Sequence, residues 1–398
     1  MLLRYLAMLA AAFMLAGCSS LPQTAISNTT YGTDAVKPFV DSGELAGAIA
    51  VFYNNGVQEN TLCGWADRDK KLPMGMDKMF MQCSQTKGFC GVTAAILVEE
   101  GKLSLDEPVA RYLPEFKNLK VKVTGKDGKV SIKPAENVLT VRMVLNHTGG
   151  FNFEIPTKSK KGWSSLPLRE TAREAAGIPL LFEPGTQVKY SNTGIDIAAA
   201  VIEVITGKPW DVFLKERVLE PLEMFDTTFT PSDEQLARAM ALYVVAPGKK
   251  AQYRHFHPAM PRPYNGKNVH PSAGAGLWTT AADQLKFYKM LMNLGMGENN
   301  KRILKEQTVR ELLAVTTRPK NLGGYSLGLS VGKDNWFGHG GAWGTTCWVN
   351  WKKRQLRMLI VQVNGSRPWQ NHWNKASEKF FAASIDTKDS DAYTGRTR

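Results

Sequence analysis

The sequence predicts an α+β fold: an antiparallel sheet built from both chain ends, flanked by helices, with a mostly helical lobe inserted in its middle. Three observations predict it. Strand-like runs at 46–53 and 58–65 lie near the start of the chain. Three more, at 326–331, 345–351 and 356–363, lie near its end. The stretch between them is dominated by helical periodicity. Strands so far apart share one sheet only if the chain folds as one cooperative unit with two lobes, and clefts form between lobes.

Composition agrees with this and narrows the class. The chain has 398 residues, 43% hydrophobic and 22% charged, which excludes wholesale disorder. The 35 glycines and 20 prolines follow no repeat, which excludes collagen-like chains, and no self-similar period suggests a solenoid or propeller. The formal net charge of +14 favours anionic surroundings such as phosphate-rich envelope polymers or anionic lipid headgroups. A generally basic surface with no specific partner is the plain alternative. There is no five-residue Lys/Arg run and no RNA-binding or zinc-finger signature, so no nucleic-acid partner is expected.

The N-terminus reads as an address. Arg4 supplies a positive charge, and residues 5–15 form an apolar core too short to span a bilayer. Leu15-Ala16-Gly17-Cys18 follows directly and resembles the lipobox of bacterial lipoproteins, which implies lipidation of Cys18. Ordinary secretion with cleavage after small residues is the alternative. The expected organisation is a leader at 1–18, a flexible tether at 19–32, one domain at 33–385 and a polar tail at 386–398. The expected location is the bacterial cell envelope, with a lipid anchor on the membrane. Export permits disulfides. Yet Cys83 and Cys90 lie too far apart along a helix to bridge directly, and Cys63, Cys83, Cys90 and Cys347 are expected as buried free thiols.

The elements follow in order. Residues 33–42 read as a helix. The first two strands flank Asn54-Asn55-Gly56, an Asn-Gly hairpin signal. A loop is expected over 67–76. From 84 to 100 the pattern is helical and apolar on nearly every side, which implies burial, and Gly101 ends it. Residues 121–123 and 130–132 read as a Lys-rich surface hairpin. A short helix is expected over 140–146, capped by Thr140 and stopped by Thr148-Gly149-Gly150. Helices at 193–206, 209–216, 281–293 and near 370–384 complete the set.

Three motifs carry chemistry. In Ser84-Gln85-Thr86-Lys87, positions i and i+3 share a helix face, so Lys87 can reach the Ser84 hydroxyl. A serine is a poor nucleophile until a base takes its proton, and a lysine is such a base if burial lowers its pKa. Ser330-Val331-Gly332-Lys333 also fits, but in a strand and turn its ends point to opposite faces. In Tyr190-Ser191-Asn192, at a helix entry, the tyrosine can relay the serine proton. Asn192 can hold Lys87 and a substrate amide carbonyl. Tyr53-Asn54-Asn55 fits the same pattern within a hairpin turn. His339-Gly340-Gly341-Ala342 is expected on a connection between two late strands. Its glycines let a substrate backbone approach, and its imidazole can donate a proton or orient other groups. The Ala342 and Ser84 amides can pair as an oxyanion hole. His147-Thr148-Gly149 is a competing match, read as a helix stop.

In this order, Ser-x-x-Lys, Tyr-x-Asn and His-x-Gly resemble the serine β-lactamase and penicillin-binding-protein superfamily. The likeness is nearest to class C β-lactamases, DD-peptidases with a His-x-Gly third motif, and related esterases, and it covers most of residues 33–385. Gly64-Trp65-Ala66-Asp67-Arg68, Leu145-Asn146-His147-Thr148-Gly149-Gly150 and Gly276-Leu277-Trp278-Thr279-Thr280-Ala281-Ala282-Asp283 match the family's style. The resemblance implies an acyl-enzyme on Ser84. Lys87 and Tyr190 would share the base role, and Ser84 and Ala342 amides would hold the oxyanion. A water activated by Lys87, Tyr190 or His339 would release the acyl group. The third motif departs from Lys-Thr-Gly: His339 replaces Lys, and Gly340 replaces the Thr that helps bind a substrate carboxylate. That weakens the case for β-lactams and D-Ala-D-Ala peptides and favours an ester or small amide. Thr345 and Thr346 are candidates to compensate. Trp343 and Trp348 suit either an acyl pocket or sheet packing.

Two rival readings fit the sequence less well. His255-Phe256-His257 is a His-x-His pair without the Asp-His that follows it in metallo-β-lactamases, and no His-Glu-x-x-His occurs, so no metal or other cofactor is expected. A non-enzymatic envelope binding protein would not need reactive side chains at all three motifs. The expected protein is therefore a monomeric, exported serine hydrolase, with a D-amino-acid peptidase and a β-lactamase as alternatives.

Overall fold

The computed structural model describes residues 31–154, 165–254, 269–314, 317 and 324–383. The leader with Cys18, most of the tether, the polar tail and the His255/His257 pair lie outside the described residues.

The chain opens with α1 (Tyr31–Asp41) and the hairpin of β1 (Gly47–Asn54) and β2 (Val57–Asp67). Asn55 and Gly56 turn it with φ of 47° and 102°, as the Asn-Gly signal predicts. Short strands β3 (Leu72–Pro73) and β4 (Phe80–Met81) lead into the central helix α2 (Thr86–Glu99). The basic hairpin pairs β5 (Lys120–Thr124) with β6 (Val130–Pro134). The helical lobe holds α3 (Val141–Leu145), α4 (Leu168–Ala176), α5 (Asn192–Thr206), α6 (Trp210–Leu214) and α7 (Asp233–Ala237). After β7 (Leu242–Val245), β8 (Gln252–Arg254) and β9 (Trp278–Thr279) come α8 (Ala281–Met292) and α9 (Glu306–Leu312). The end of the chain supplies β10 (Gly324–Tyr325), β11 (Ser330–Val331), β12 (Trp336–Gly340), β13 (Thr346–Asn350), β14 (Gln355–Ile360), β15 (Val363–Gly365) and α10 (Trp369–Ala383).

Eight strands form one sheet in the order β10-β11-β12-β13-β14-β1-β2-β3. Every pairing is antiparallel, and β1 meets β14 with Ile49 opposite Ile360. The sheet is thus closed by the two ends of the chain, as expected. Strand β1 is buried throughout because both its faces are covered. Ile49, Val51 and Tyr53 join the core around α2, while Ala48, Ala50 and Phe52 join the layer of α1 and α10. Edge-to-face contacts of Tyr31 with Phe380 and of Phe39 with Trp369 bind those two helices. Residues 86–97 of α2 are buried on all sides, and Phe89 stacks on Phe287 of α8 with centroids 3.7 Å apart.

Four expectations need correction. His339 does not sit on a connection between strands: it lies within β12, opposite Cys347. Glycine there serves close strand approach, since a Cβ on Gly338 would run into the Cys347 carbonyl. Within the run 326–331 only Ser330–Val331 pair, as β11, against β10, which lies just before the run. The run 356–363 breaks at Gln362 (φ 48°), and β15 leaves for a second sheet, parallel to β7. Cys63 is only half-buried, whereas Cys83, Cys90 and Cys347 are buried; all four are free thiols. Helices α4, α7 and α9 were not expected.

Candidate active site

Ser84 stands at the entrance to the central helix. Residues Cys83–Gln85 make a tight turn before α2, and Cys83 adopts the left-handed region with φ 51°, an uncommon conformation for a non-glycine residue. Residues 79–97 are buried with the single exception of Ser84. The fold therefore buries a helix and exposes one hydroxyl of it. The turn is pinned on several sides. Thr86 Oγ1 donates to the Cys83 carbonyl at 2.7 Å, and Gln85 Nε2 donates to the His339 carbonyl at 3.0 Å.

Lys87 is buried behind Ser84. Its Nζ lies 2.6 Å from Asn192 Oδ1, 2.6 Å from the Gly274 carbonyl and 3.3 Å from Ser84 Oγ. Burial pulls its pKa down from the ordinary lysine range to about 7, against the opposing pull of the Asp196 carboxylate and, more weakly, of Cys83 and Cys90. Near neutral pH this amine is divided between its charged and neutral forms.

Tyr190 hydrogen-bonds Ser84, and its ring lies 4.5 Å from Lys87 Nζ. Burial raises its pKa above the usual phenol range, with the Ser84 hydrogen bond opposing. Ser191 caps α5, accepting from Gly194 N at 3.1 Å and donating to the Asn152 carbonyl at 2.6 Å. That cap fixes Asn192 in the first turn of α5, facing Lys87.

The third motif approaches from β12. His339 is buried, and both its ring nitrogens are engaged. Nδ1 lies 2.6 Å from the Gly340 carbonyl, which can only accept, so Nδ1 carries the proton. Nε2, 3.1 Å from the Tyr325 hydroxyl, then accepts from it. Burial first, and the charge of Lys87 second, lower the imidazole pKa to about 3. Gly341 packs so closely that a Cβ would overlap Thr345 Oγ1 and lie 2.5 Å from the Gln82 carbonyl. Ala342 is exposed, and its amide, like that of Trp343, donates to the Cys83 thiol. Thr345 Oγ1 donates to the Gln82 carbonyl and is buried, so it does not face a substrate. Trp343 packs with Met81, Cys83 and Trp278, and Trp348 lies against the α1/α10 layer, so both serve packing.

Ser84, Lys87, Tyr190 and Asn192 thus converge on one point. His339, Gly341 and Ala342 reach it through the turn at Cys83. The family described as Beta-lactamase matches residues 33–374. The chain belongs to the Beta-lactamase family. Among its relatives is an uncharacterized protein of Mycobacterium tuberculosis, 30% identical over 284 residues that make up 69% of each chain. Esterase EstB of Burkholderia gladioli is 28% identical over 61% of this chain and 64% of its own. The structure of EstCE1, described as a hydrolase with promiscuous acyltransferase activity, superposes with a TM-score of 0.72 at 22% identity. The match covers 87% of this chain and 97% of that one. As a member of the Beta-lactamase family, this chain is a serine hydrolase.

Several residues around this Beta-lactamase-family site escaped the sequence reading. Asp196, one turn beyond Asn192 on α5, accepts from Ser272 Oγ at 3.1 Å and from Gly274 N at 3.0 Å, and His270 Nε2 lies 3.5 Å away. A lone acid in the apolar run Ile195–Ile202 was the available signal. His147, read only as a helix stop, is buried between the rings of Tyr190 and Tyr325, with centroids 4.5 and 4.4 Å away. Its Nδ1 accepts from Ser191 N at 3.3 Å. Among the described residues, no group of three His, Cys, Asp or Glu side chains is set to hold a metal ion, and no helix is long and apolar enough to cross a membrane.

Proposed function

We propose that this protein is an exported, lipid-anchored carboxylesterase or small-amide hydrolase that works through an acyl-enzyme on Ser84. The observation that carries the mechanism is the environment of Lys87 Nζ. A neutral amine has two N–H bonds and one lone pair. The two short contacts, to Asn192 Oδ1 and the Gly274 carbonyl, absorb both N–H bonds. The lone pair then faces Ser84 Oγ at 3.3 Å. Lys87 is accordingly the resting base, because a phenol with a raised pKa is less than about one part in a thousand ionised near pH 7. Tyr190 relays: it hydrogen-bonds Ser84 and passes a proton toward the leaving group.

The acyl carbonyl oxygen would sit between the amides of Ser84 and Ala342. The Ala342 amide is held by the Cys83 thiol, a weak acceptor that an oxyanion displaces at little cost. His339, neutral and engaged at both nitrogens, orients the Gly340-Gly341-Ala342 turn; the water that releases the acyl group is activated by Lys87 and Tyr190. Preference for esters or small amides is supported by the missing hydroxyl in the third motif, by the buried Thr345 and by the esterase among the relatives. Cys18 would carry the anchor.

The test is intact mass after a fluorophosphonate and, separately, after benzylpenicillin, for wild type and Ser84→Ala, together with a p-nitrophenyl ester panel. The expected result is fluorophosphonate labelling and ester turnover in wild type alone, with no penicillin adduct. Labelling that survives in Ser84→Ala overturns the nucleophile. A persistent penicillin adduct marks a peptidase-like site, and drug loss without an adduct marks a β-lactamase.

A further inference from the structure

The hairpin of β5 and β6 forms its own two-stranded sheet, with β5 tied along its other side to Leu180 by backbone hydrogen bonds. Its register sorts its side chains cleanly. Val121 and Val123 turn inward, and Val121 is buried. Lys120, Lys122 and Thr124 turn outward with their partners Pro134, Ile132 and Val130. Every residue of β6 is exposed, Val130 and Ile132 by 63% and 57%. Two outward-facing lysines thus flank a bare aliphatic ridge, and Lys126 adds a third at the turn. Lys120, Lys122 and Lys126 have no ion-pair partner among the described residues, although fifteen Lys/Arg–carboxylate pairs occur among those residues, one of them in this hairpin's turn. The one acid of the turn, Asp127, is taken by Lys129 at 3.5 Å.

We infer that this hairpin face docks on the surface of an anionic phospholipid bilayer. Unpaired lysines are complementary to headgroup phosphates. Exposed aliphatic side chains between them have no use on a soluble polyanion, but they gain by entering the boundary between headgroups and acyl chains. The combination therefore selects a bilayer over a phosphate polymer. The inference rests on no catalytic assignment and on no lipid at Cys18.

The experiment places an environment-sensitive dye on the ridge. The full chain carries Cys18→Ser, Cys63→Ser and Ile132→Cys, so that position 132 offers the accessible thiol while Cys83, Cys90 and Cys347 stay buried. Vesicles contain either phosphatidylcholine alone or a phosphatidylglycerol mixture. A blue shift is expected with the anionic vesicles only, reversed at about 0.5 M salt. One lysine near an anionic surface changes binding about fivefold, so adding Lys120→Gln, Lys122→Gln and Lys126→Gln should raise the lipid needed about a hundredfold. Thermal melting of each variant verifies that it is folded. No shift with anionic vesicles, an equal shift with phosphatidylcholine, or an undiminished shift in the triple variant overturns the inference. A shift reproduced by soluble polyphosphate also overturns it, in favour of a polymer.

Discussion

Lys87 and Asp196 are joined through a single residue, Gly274. Gly274 accepts from Lys87 Nζ at 2.6 Å with its carbonyl and donates to Asp196 Oδ1 at 3.0 Å with its amide. The carboxylate thus fixes the acceptor that orients the lysine, and its charge also favours the protonated amine. Burial and Asp196 pull the lysine pKa in opposite directions, and burial dominates.

Removing that charge should move the acid limb of activity. If Lys87 works as a neutral base, kcat/KM rises with pH through a value near 7. Asp196→Asn removes a contribution that raises the lysine pKa, so the limb should shift to lower pH, by about one unit. A pH profile of ester turnover checks this. A limb that stays put, or moves up, would show that Asp196 acts on folding alone.

Tyr190→Phe should separate relay from base. Loss of a proton relay costs about 10²–10⁴ in rate. The low-pH limb should remain, because Lys87 is untouched. Single-turnover acylation across pH is the measurement. A limb that vanishes with the hydroxyl would make the tyrosine the base.

Two buried histidines should make the fold acid-sensitive. Burial lowers the pKa of His339 to about 3 and that of His147 well below 6.5. The unfolded chain therefore binds protons that the native state refuses. Stability is full above the ordinary histidine pKa and is lost as pH falls below about 6.5, by about 2 kcal/mol at pH 5 for His339, with His147 adding in the same direction. Melting temperatures between pH 7 and pH 5 should fall, and His147→Gln should flatten the slope. An unchanged slope would mean that this imidazole titrates alike in both states.

The Cys83 thiol, next to Ser84, should matter through its weakness as an acceptor. Burial raises the Cys83 pKa to about 12, so it stays a neutral thiol that donates to the Met81 carbonyl. Cys83→Ser substitutes a stronger acceptor that competes for the Ala342 amide, and about a tenfold loss of kcat is expected. Cys83→Ala removes the competitor and should retain kcat. Equal losses in both variants would point to packing instead.

Much of this architecture could be read from residue patterns, for local reasons. The Asn54-Asn55-Gly56 turn marks its hairpin by itself, and the all-apolar helix after Ser84 announces its own burial. The Ser84–Lys87 and Tyr190–Asn192 spacings are short enough for helix geometry to dictate who meets whom. What escaped depends on distant partners. Gly338 looks like a loop residue until β13 packs against it. Asp196 looks like a flaw in an apolar helix until Gly274 and Ser272 arrive from some 80 residues downstream. The third-motif strand was misread for the same reason.

The pairing of β1 with β14 has a temporal meaning. A chain emerging from the ribosome presents Ser84 and Lys87 early, but the β1 edge that must meet β14 waits for residues about 300 positions later. Until then the central strand has one open side, and neither Gln85 nor the Cys83 turn has its late partners. A nascent chain or one cut short before β12 carries Ser84 and Lys87 without the frame around them. Under the proposed mechanism, hydrolytic competence arrives only with the last strands.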